Sequence, residues 1–275
     1  GGMIVSIALA GLGRRRRLVC AVSALACLLA VAPVKAEIAS CPALKQPISA
    51  RVEAVVDAQT LRIEGGQEVR LMAAMPLAAD DPDALAVLRQ LVAPGDTISL
   101  YRGVSKIDRH GRMLAHAVTA ADVGAVWLQE ELIGQGVARA YAVSDNRACI
   151  AWLLRREQAA RQSGARLWGT GALRVYPAYR PEALEPLVDT FQIVEGKPGS
   201  VGRTKRTIYV NFGRVWKRDF TLIIPLRRDA AFARAGIVLD DLAGKRIRVR
   251  GWLERRGGPA ITLQEPDLLE IVEQD

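Results

Sequence analysis

The sequence has 275 residues, which is long enough for a leader segment and two ordinary domains. Its formal net charge is +9, but the first 36 residues contain five basic side chains and no acidic one, so the remainder carries about +4 (9 − 5). This modest charge excludes a protein that binds nucleic acid through overall basicity alone, and any such interaction must depend on clustered cations.

The N-terminal segment is typical of a secretory signal peptide. Four consecutive arginines at 14–17 precede an apolar run at 18–34, and Val34-Lys35-Ala36 matches a small-residue cleavage site. We therefore predict a signal peptide over residues 1–36, a periplasmic or secreted protein, and no stable membrane association after cleavage. An uncleaved membrane anchor is the alternative, because the apolar run is almost long enough to span a bilayer.

Two cysteines, Cys41 and Cys149, lie outside this leader. An even number of cysteines in an exported protein favours a disulfide. We predict a bond between Cys41 and Cys149 that ties an N-terminal segment at 37–49 to the start of a helix. Two buried free thiols are the alternative. A metal site is not indicated, because neither His110 nor His116 has ligand spacing with these cysteines.

Residues 50–169 have the periodicity of a small β-barrel with helices. Alternating apolar residues predict strands at 50–55, 60–64, 68–71, 97–101 and 113–118, with a Gly65-Gly66 turn. Helical spacing predicts helices at 84–91, 126–135 and 148–162. Three tryptophans of this region are expected in the core: Trp127, Trp152 and Trp168. The predicted fold class is mainly β with α.

A second pattern begins after residue 188. Glycines and prolines at 170–188 predict a linker. In the following domain, 189–273, strands are predicted at 191–196, 207–213 and 220–225, a helix at 230–235, and further strands at 245–253 and 259–263. This order of elements is that of an OB-fold barrel. The sequence thus predicts one β-barrel with helices and a second, smaller OB-like barrel behind it.

Five motifs within residues 50–169 resemble the thermonuclease (staphylococcal nuclease-like) family. In chain order they are Val55-Val56-Asp57-Ala58-Gln59-Thr60-Leu61, Val69-Arg70-Leu71, Asp108-Arg109-His110-Gly111-Arg112-Met113-Leu114-Ala115, Leu132-Ile133-Gly134-Gln135-Gly136-Val137-Ala138 and Gly164-Ala165-Arg166-Leu167-Trp168. The resemblance implies a staphylococcal nuclease-like OB-fold barrel and phosphodiesterase activity on nucleic acid. Residues 244–252 and 258–261 resemble the OB-like tail of some exported bacterial members.

The resemblance also assigns roles to single residues. Family members bind calcium through two aspartates, activate water with a glutamate and stabilise the transition state with two arginines. Arg70 and Arg112 match the arginines, and Asp57 matches the first acid of the opening motif. Gln59 replaces one calcium carboxylate, and the stretch that ends at Leu77 lacks the second acid and the base. Calcium binding and water activation are then impaired, and calcium is expected only if the site is active.

Two interpretations stay open for the charged residues. Three acids, Asp80, Asp81 and Asp83, could replace the missing carboxylates as weak metal candidates, or they could begin the following helix, where acids are favourable. Arg70 and Arg112 are expected to hold a phosphate, because planar guanidiniums match its oxygens in bidentate fashion. The alternative is that both arginines bond buried acceptors and only stabilise the fold.

Two further regions are predicted to contact a ligand. Tyr141 follows the helix-end motif and borders the pocket of the family; an ordinary half-buried tyrosine is the alternative. The C-terminal domain interleaves cations and rings, as OB folds that bind single strands do, and Arg248 and Arg250 are its predicted substrate-binding residues. The alternative is a solvated barrel with three rings in its core: Tyr209, Phe212 and Trp252.

Three functions fit these observations. We favour an exported thermonuclease-type protein that binds nucleic acid or nucleotide phosphate, with hydrolysis impaired or absent. The second is an active nuclease that uses Asp80, Asp81 or Asp83 as substitute acids. The third is an envelope interaction module in which two barrels bind a protein or a glycan. The sequence specifies neither the partner nor the oligomeric state.

Overall fold

Five strands close into the first barrel. The computed structural model describes residues 38, 46–120, 124–142, 147 and 149–272, with the backbone alone at Ser105. The barrel strands are β1 (Ile48–Asp57), β2 (Thr60–Ile63), β3 (Glu68–Leu71), β5 (Thr97–Ile107) and β6 (Met113–Thr119), in the spatial order β1-β2-β3-β6-β5. Among these five barrel strands, only the β3 and β6 pair is parallel. Alternate residues such as Leu61, Val69 and Leu71 are buried, as a two-residue period requires.

Helices cover the barrel and complete its core. They are α1 (Pro82–Leu91), α2 (Leu128–Gly134), α3 (Ile150–Gln162) and the short α4 (Leu167–Thr170). A two-stranded sheet of β4 (Ala74–Met75) and β7 (Arg139–Ala140) lies beside them. Gly136 ends the turn after α2 with φ +74°, and a Cβ there would lie 2.2 Å from the Ala165 carbonyl oxygen. The chain therefore passes this point only with glycine.

The C-terminal part forms an eight-stranded sheet. Its elements are β8 (Val175–Pro177), α5 (Pro181–Leu184), β9 (Phe191–Gly196), β10 (Ser200–Arg203), β11 (Thr207–Asn211), β12 (Thr221–Pro225), α6 (Asp229–Arg234), β13 (Ile247–Arg256), β14 (Gly258–Thr262) and β15 (Leu269–Ile271). The main path is β10-β11-β12-β14-β13-β9-β8, and β15 also pairs with β13. Among the described residues this path runs from β10 to β8 without closing on itself, so the second, smaller barrel expected from the sequence stays a prediction.

Most predicted elements are confirmed, with one clear exception. The mainly β fold with a helix-covered barrel is confirmed, and Trp127 and Trp168 are buried as expected, whereas Trp152 is half-buried. The predicted linker at 170–188 is wrong as an irregular segment, because it contains α5 and β8. Strand β8 pairs in parallel with β9 and so belongs to the C-terminal sheet. Glycine and proline residues interrupt the hydrophobic periodicity of this segment, so the sequence pattern does not reveal β8. The strand forms because it pairs with β9 in the folded protein.

The described residues all belong to one compact unit. Within the described part of this unit, buried polar contacts join the two sheets. Arg250 on β13 donates to Glu157 of α3 at 2.6 Å and to the Ala140 carbonyl at 3.0 Å. Arg139 of β7 donates to the Phe191 carbonyl of β9. The barrel and the C-terminal sheet thus share polar core residues.

The predicted signal peptide, the alternative membrane anchor and Cys41 lie outside the described residues. None of the helices described has the length and apolarity that crossing a bilayer requires.

Candidate functional site

Arg70 and Tyr141 meet on the first barrel. Arg70 projects from β3, and Tyr141 follows β7, whose pairing with β4 brings the tyrosine back to the barrel. The Tyr141 hydroxyl is within hydrogen-bonding reach of the Arg70 and Gln59 side chains and of the Ala73 backbone. The Tyr141 amide in turn donates to the Ala73 carbonyl at 3.2 Å. The structure thus brings together a predicted arginine, the predicted tyrosine and a neutral amide.

Burial dominates the ionisation of Tyr141. It raises the pKa of the phenol above its usual value of 10.0, against the opposing effect of the Arg70 charge and of the hydrogen bonds from Ala73, Arg70 and Gln59. Tyr141 therefore stays protonated at neutral pH and can donate to an anionic oxygen. No carboxylate of the described residues lies within ion-pairing distance of Arg70.

Arg112 immediately precedes β6, the parallel neighbour of the strand that carries Arg70. Strands β3 and β6 are parallel neighbours, with Arg70 opposite Leu114, and Arg112 precedes Leu114 by two residues. From strand spacing, the Cα atoms of the two arginines are roughly 8 Å apart. Unlike Arg70, Arg112 is ion-paired: its Nε and Nη2 each lie 2.7 Å from Asp108 Oδ2. Arg112 is thus partly neutralised in its hairpin.

Asp108 organises that hairpin as well as its arginine. Its Oδ1 accepts hydrogen bonds from the backbone amides of His110 and Arg112 at 2.8 and 3.0 Å. Burial alone would raise the pKa of Asp108, but these bonds and the Arg112 charge together hold it below its usual value. The carboxylate is therefore ionised at neutral pH and fixes the position of Arg112.

The residues at the predicted calcium position do not fit a calcium site. The Asp57 carboxylate accepts from the Gln59 amide of the backbone at 2.7 Å, which makes a tight local turn. The Gln59 side chain is buried, and its Nε2 donates to the carbonyls of Leu71 and Ala74 at 3.3 and 2.5 Å. An amide held in this way stabilises the barrel, whereas calcium needs several oxygen ligands with carboxylate charge.

The acids of the 80–83 stretch begin helix α1. Asp81 is the N-cap of the helix, with Oδ1 accepting from the Ala84 amide at 2.8 Å. Asp83 lies in the first turn, and Asp80 and Asp83 are exposed. The helix-start interpretation is therefore confirmed. Leu77, at the position of the missing base, is exposed and apolar. Among the described residues, no cluster of three acids, histidines or cysteines could hold a metal.

Arg248 and Arg250 occupy ion pairs rather than a free surface. Arg250 is 1% exposed and is bound to Glu157 and Glu270 at 2.6 and 2.7 Å. Arg248 donates from Nε and Nη2 to Glu195 at 2.9 and 2.7 Å. A phosphate would have to break these bonds to reach either guanidinium, so the geometry lends no support to their predicted substrate binding, which stays a prediction. The physical reason is that β13 turns both side chains toward acids of neighbouring elements.

The aromatic rings of Tyr209, Phe212 and Trp252 do not form the core that the alternative interpretation of the C-terminal domain expected. Tyr209 and Trp252 are 36% and 54% exposed, and Phe212 is half-buried. The expectation that all three rings form the barrel core is therefore wrong. Phe220 and Phe232, which are fully buried, take that place.

Cys149 is disulfide-bonded and lies at the N-cap position of α3, where its side chain makes no capping hydrogen bond. Its predicted partner, Cys41, lies outside the described residues, so the Cys41–Cys149 pairing stays a prediction.

Arg139 is a site-bordering residue that the sequence analysis missed. It is buried, donates to the Pro76 carbonyl at 3.2 Å, and lies 5.2 Å from the centroid of the Phe191 ring. Burial lowers its pKa to about 10, so it remains charged at neutral pH. Phe191 packs edge-on against Tyr141 with ring centroids 6.0 Å apart. The sequence did contain a signal for this residue, because Arg139 is the one charged residue in the run 137–142.

The fold and the site together define a protein with a closed five-stranded barrel that carries Arg70 and Arg112 on or beside the neighbouring strands β3 and β6. A protein-family model described as staphylococcal nuclease homologue matches residues 81–170. The chain therefore contains a staphylococcal nuclease-like domain, and the matched range includes Arg112 and Tyr141 but not Gln59 or Arg70. No curated protein matches the chain.

Proposed function

We propose that this protein binds nucleic acid or nucleotide phosphate outside the cytoplasm through Arg70 and its neighbours, and that it hydrolyses phosphodiesters poorly or not at all. One observation carries the proposal. Arg70 is a half-buried cation that has a protonated phenol as its neighbour instead of a carboxylate. A guanidinium and a phenol together offer charge and directed donors to phosphate oxygens.

The same neighbourhood supports binding more than hydrolysis. Water activation needs a positioned base, which contributes about 10²- to 10⁴-fold to rate, and Leu77 cannot provide one. Gln59 is neutral and is bonded to two backbone carbonyls. Arg112 would join Arg70 on a phosphate only by sharing its contact with Asp108. The arrangement thus resembles a phosphate clamp without its hydrolytic acids.

The test compares Arg70→Ala and Arg70→Lys with the native protein. Arg51, an exposed arginine on β1 of the same barrel, provides the control variant Arg51→Ala. We expect Arg70→Ala to weaken binding of a nucleoside 3′,5′-bisphosphate about 10- to 100-fold, as loss of a charge-assisted contact predicts. Arg70→Lys should recover only part of it, because lysine lacks the fork. Binding is measured by calorimetry.

A nuclease assay on single- and double-stranded substrates, with and without calcium, completes the test. We expect no calcium-dependent turnover above that of the Arg70→Ala variant. Robust turnover that Arg70→Ala abolishes would contradict the loss of hydrolysis. Equal ligand affinity in the native protein and in Arg70→Ala would contradict the binding site itself.

A further inference from the structure

The C-terminal sheet carries an open groove of about 830 Å³, within the range of about 300 to 1,000 Å³ that ligand sites have. Its floor is a row that crosses four strands: Gly202, Tyr209, Ile223 and Thr262. The neighbours of Tyr209 in sequence, Ile208 and Val210, are fully buried on the other face of the sheet. We call this the β10–β14 groove.

Gly202 keeps one end of this floor open. A Cβ at this position would meet no atom within 4 Å, and its φ is not in the left-handed region. Glycine is therefore not needed here for the backbone conformation. It lies opposite Tyr209 in the register of β10 and β11, so the missing side chain leaves space beside the tyrosine ring.

Trp216 provides a second aromatic wall. Its side chain packs on Gly257, where an added Cβ would fall 2.5 Å from the ring, and its carbonyl accepts from the Gly258 amide at 3.1 Å. Even so, Trp216 is 60% exposed. Lys217 lies 5.8 Å from the ring centroid. The ring is thus positioned by the turn between β13 and β14 while much of its surface faces solvent.

Positive charge is concentrated on the segment that builds this groove. Residues 200–218 contain six cations and no acid: Arg203, Lys205, Arg206, Arg214, Lys217 and Arg218. Part of this positive charge is offset, because Arg203 is ion-paired with Asp229 and Asp240, and Arg218 with Asp219. Arg256 also lines the groove, and its exposed pair with Glu254 contributes little energy and can open.

We propose that the β10–β14 groove is a second ligand site, which binds a single-stranded nucleic acid. Bases stack on Tyr209 and Trp216, and the phosphates lie along Arg256 and the basic rim. Hydroxyls and an amide on the lining offer hydrogen bonds to base edges and sugars; they belong to Thr204, Thr207, Asn211 and Thr262. This site is separate from Arg70, and it does not rest on the function proposed for the first barrel.

The charge decides between a nucleic-acid strand and a neutral glycan. Rings and hydroxyls suit both ligands, but only a polyanion gains from the basic segment 200–218. Base stacking on an aromatic side chain contributes about 1 to 3 kcal/mol per base. Phosphate contacts make single-strand binding fall with salt, with a log–log slope of about −0.7 per phosphate.

The experiment uses the full chain with Arg70→Ala as background, so that the first site contributes little. The probe is a labelled oligothymidylate, and binding is followed by fluorescence anisotropy over a salt series. Two designs alter the groove: Gly202→Ile fills its floor, and Tyr209→Ala with Trp216→Ala removes both rings. Tyr179→Ala, which removes a ring that is 73% exposed outside the groove, is the matched control.

We expect the variant without both rings to bind at least about 25-fold more weakly, which is about fivefold per ring. Gly202→Ile should weaken binding at least about fivefold, and Tyr179→Ala should leave it unchanged. Circular dichroism verifies folding, and if Gly202→Ile does not fold, the ring variant decides. Native affinity in the ring variant would overturn the proposal, as would no binding in the Arg70→Ala background. Salt-independent binding, matched by a neutral oligosaccharide that competes for the groove, would assign the site to a glycan instead.

Discussion

The Tyr141 hydroxyl lies among groups that push its ionisation in opposite directions. Arg70 favours the phenolate, whereas burial against Met75 and Phe191 favours the neutral phenol and prevails. The chemistry of the site depends on this balance, because a phenolate beside Arg70 would neutralise the cation and repel phosphate. A raised pKa keeps Tyr141 as a donor.

This predicts the titration of Tyr141. A folded-state pKa above 10.0 means that the Tyr141 proton leaves at higher pH than that of an unperturbed tyrosine. We expect the difference in tyrosinate absorbance between the native protein and Tyr141→Phe to have its midpoint above pH 10. Tyr209→Phe removes an exposed tyrosine and is the control. A midpoint for Tyr141 at or below 10 would show that the Arg70 charge prevails over burial.

At the scale of elements, helix α3 is tied to strand β13 through one carboxylate. Glu157 is 1% exposed and accepts from Arg250, from the Ala140 amide and from Arg161. Its position continues the buried face of α3, where an apolar residue would be expected from the helical period. A charge fits there because three donors compensate its desolvation.

Breaking this junction should therefore be costly. Arg250→Met would leave Glu157 buried with fewer partners and should lower the free energy of unfolding by about 3 to 5 kcal/mol. Arg62→Met removes an exposed pair with Glu68 and should cost no more than about 1 kcal/mol. Urea denaturation of both variants gives the comparison. Equal losses would mean that the buried pair contributes no more than a surface pair.

At the scale of the whole molecule, the barrel and the C-terminal sheet share their core. Arg139 reaches the Phe191 carbonyl, and Tyr141 packs on the Phe191 ring. Arg147, which precedes α3, forms an ion pair at 3.2 Å with Glu265, which lies between β14 and β15. The Arg70 site is therefore supported from both parts of the chain, and Phe191 forms a wall beside it.

A disulfide between Cys41 and Cys149 would add a covalent tie at the start of α3. We predict that mass spectrometry of the unreduced exported protein finds one linked pair of peptides and no free thiol. Reduction should lower the free energy of unfolding by about 2 to 5 kcal/mol. The Cys41→Ser variant is the control, because reduction should not destabilise it further. Complete alkylation of both thiols in native material would disprove the bond.

The sequence by itself predicted the five barrel strands, the three longer helices and five strands of the C-terminal sheet, because periodicity and caps are local properties. It did not predict the short strands β4, β7, β10 and β15, which depend on pairing with distant segments. Helix α1 begins among the acids Asp80, Asp81 and Asp83, as the helix-start interpretation of these residues predicted. By contrast, the linker prediction at 170–188 failed because β8 is fixed only by pairing with β9.

Only the tertiary structure decided which cations face solvent. Arg248, Arg250 and Arg256 alternate along one strand, and nothing in that pattern tells which of them meets an acid from another element. Packing against α3 buries Arg250 on Glu157, whereas Arg256 lies at the strand end and is exposed. Ion pairing across elements depends on long-range contacts, so the solvent-facing cations of the C-terminal sheet could be identified only from the tertiary structure.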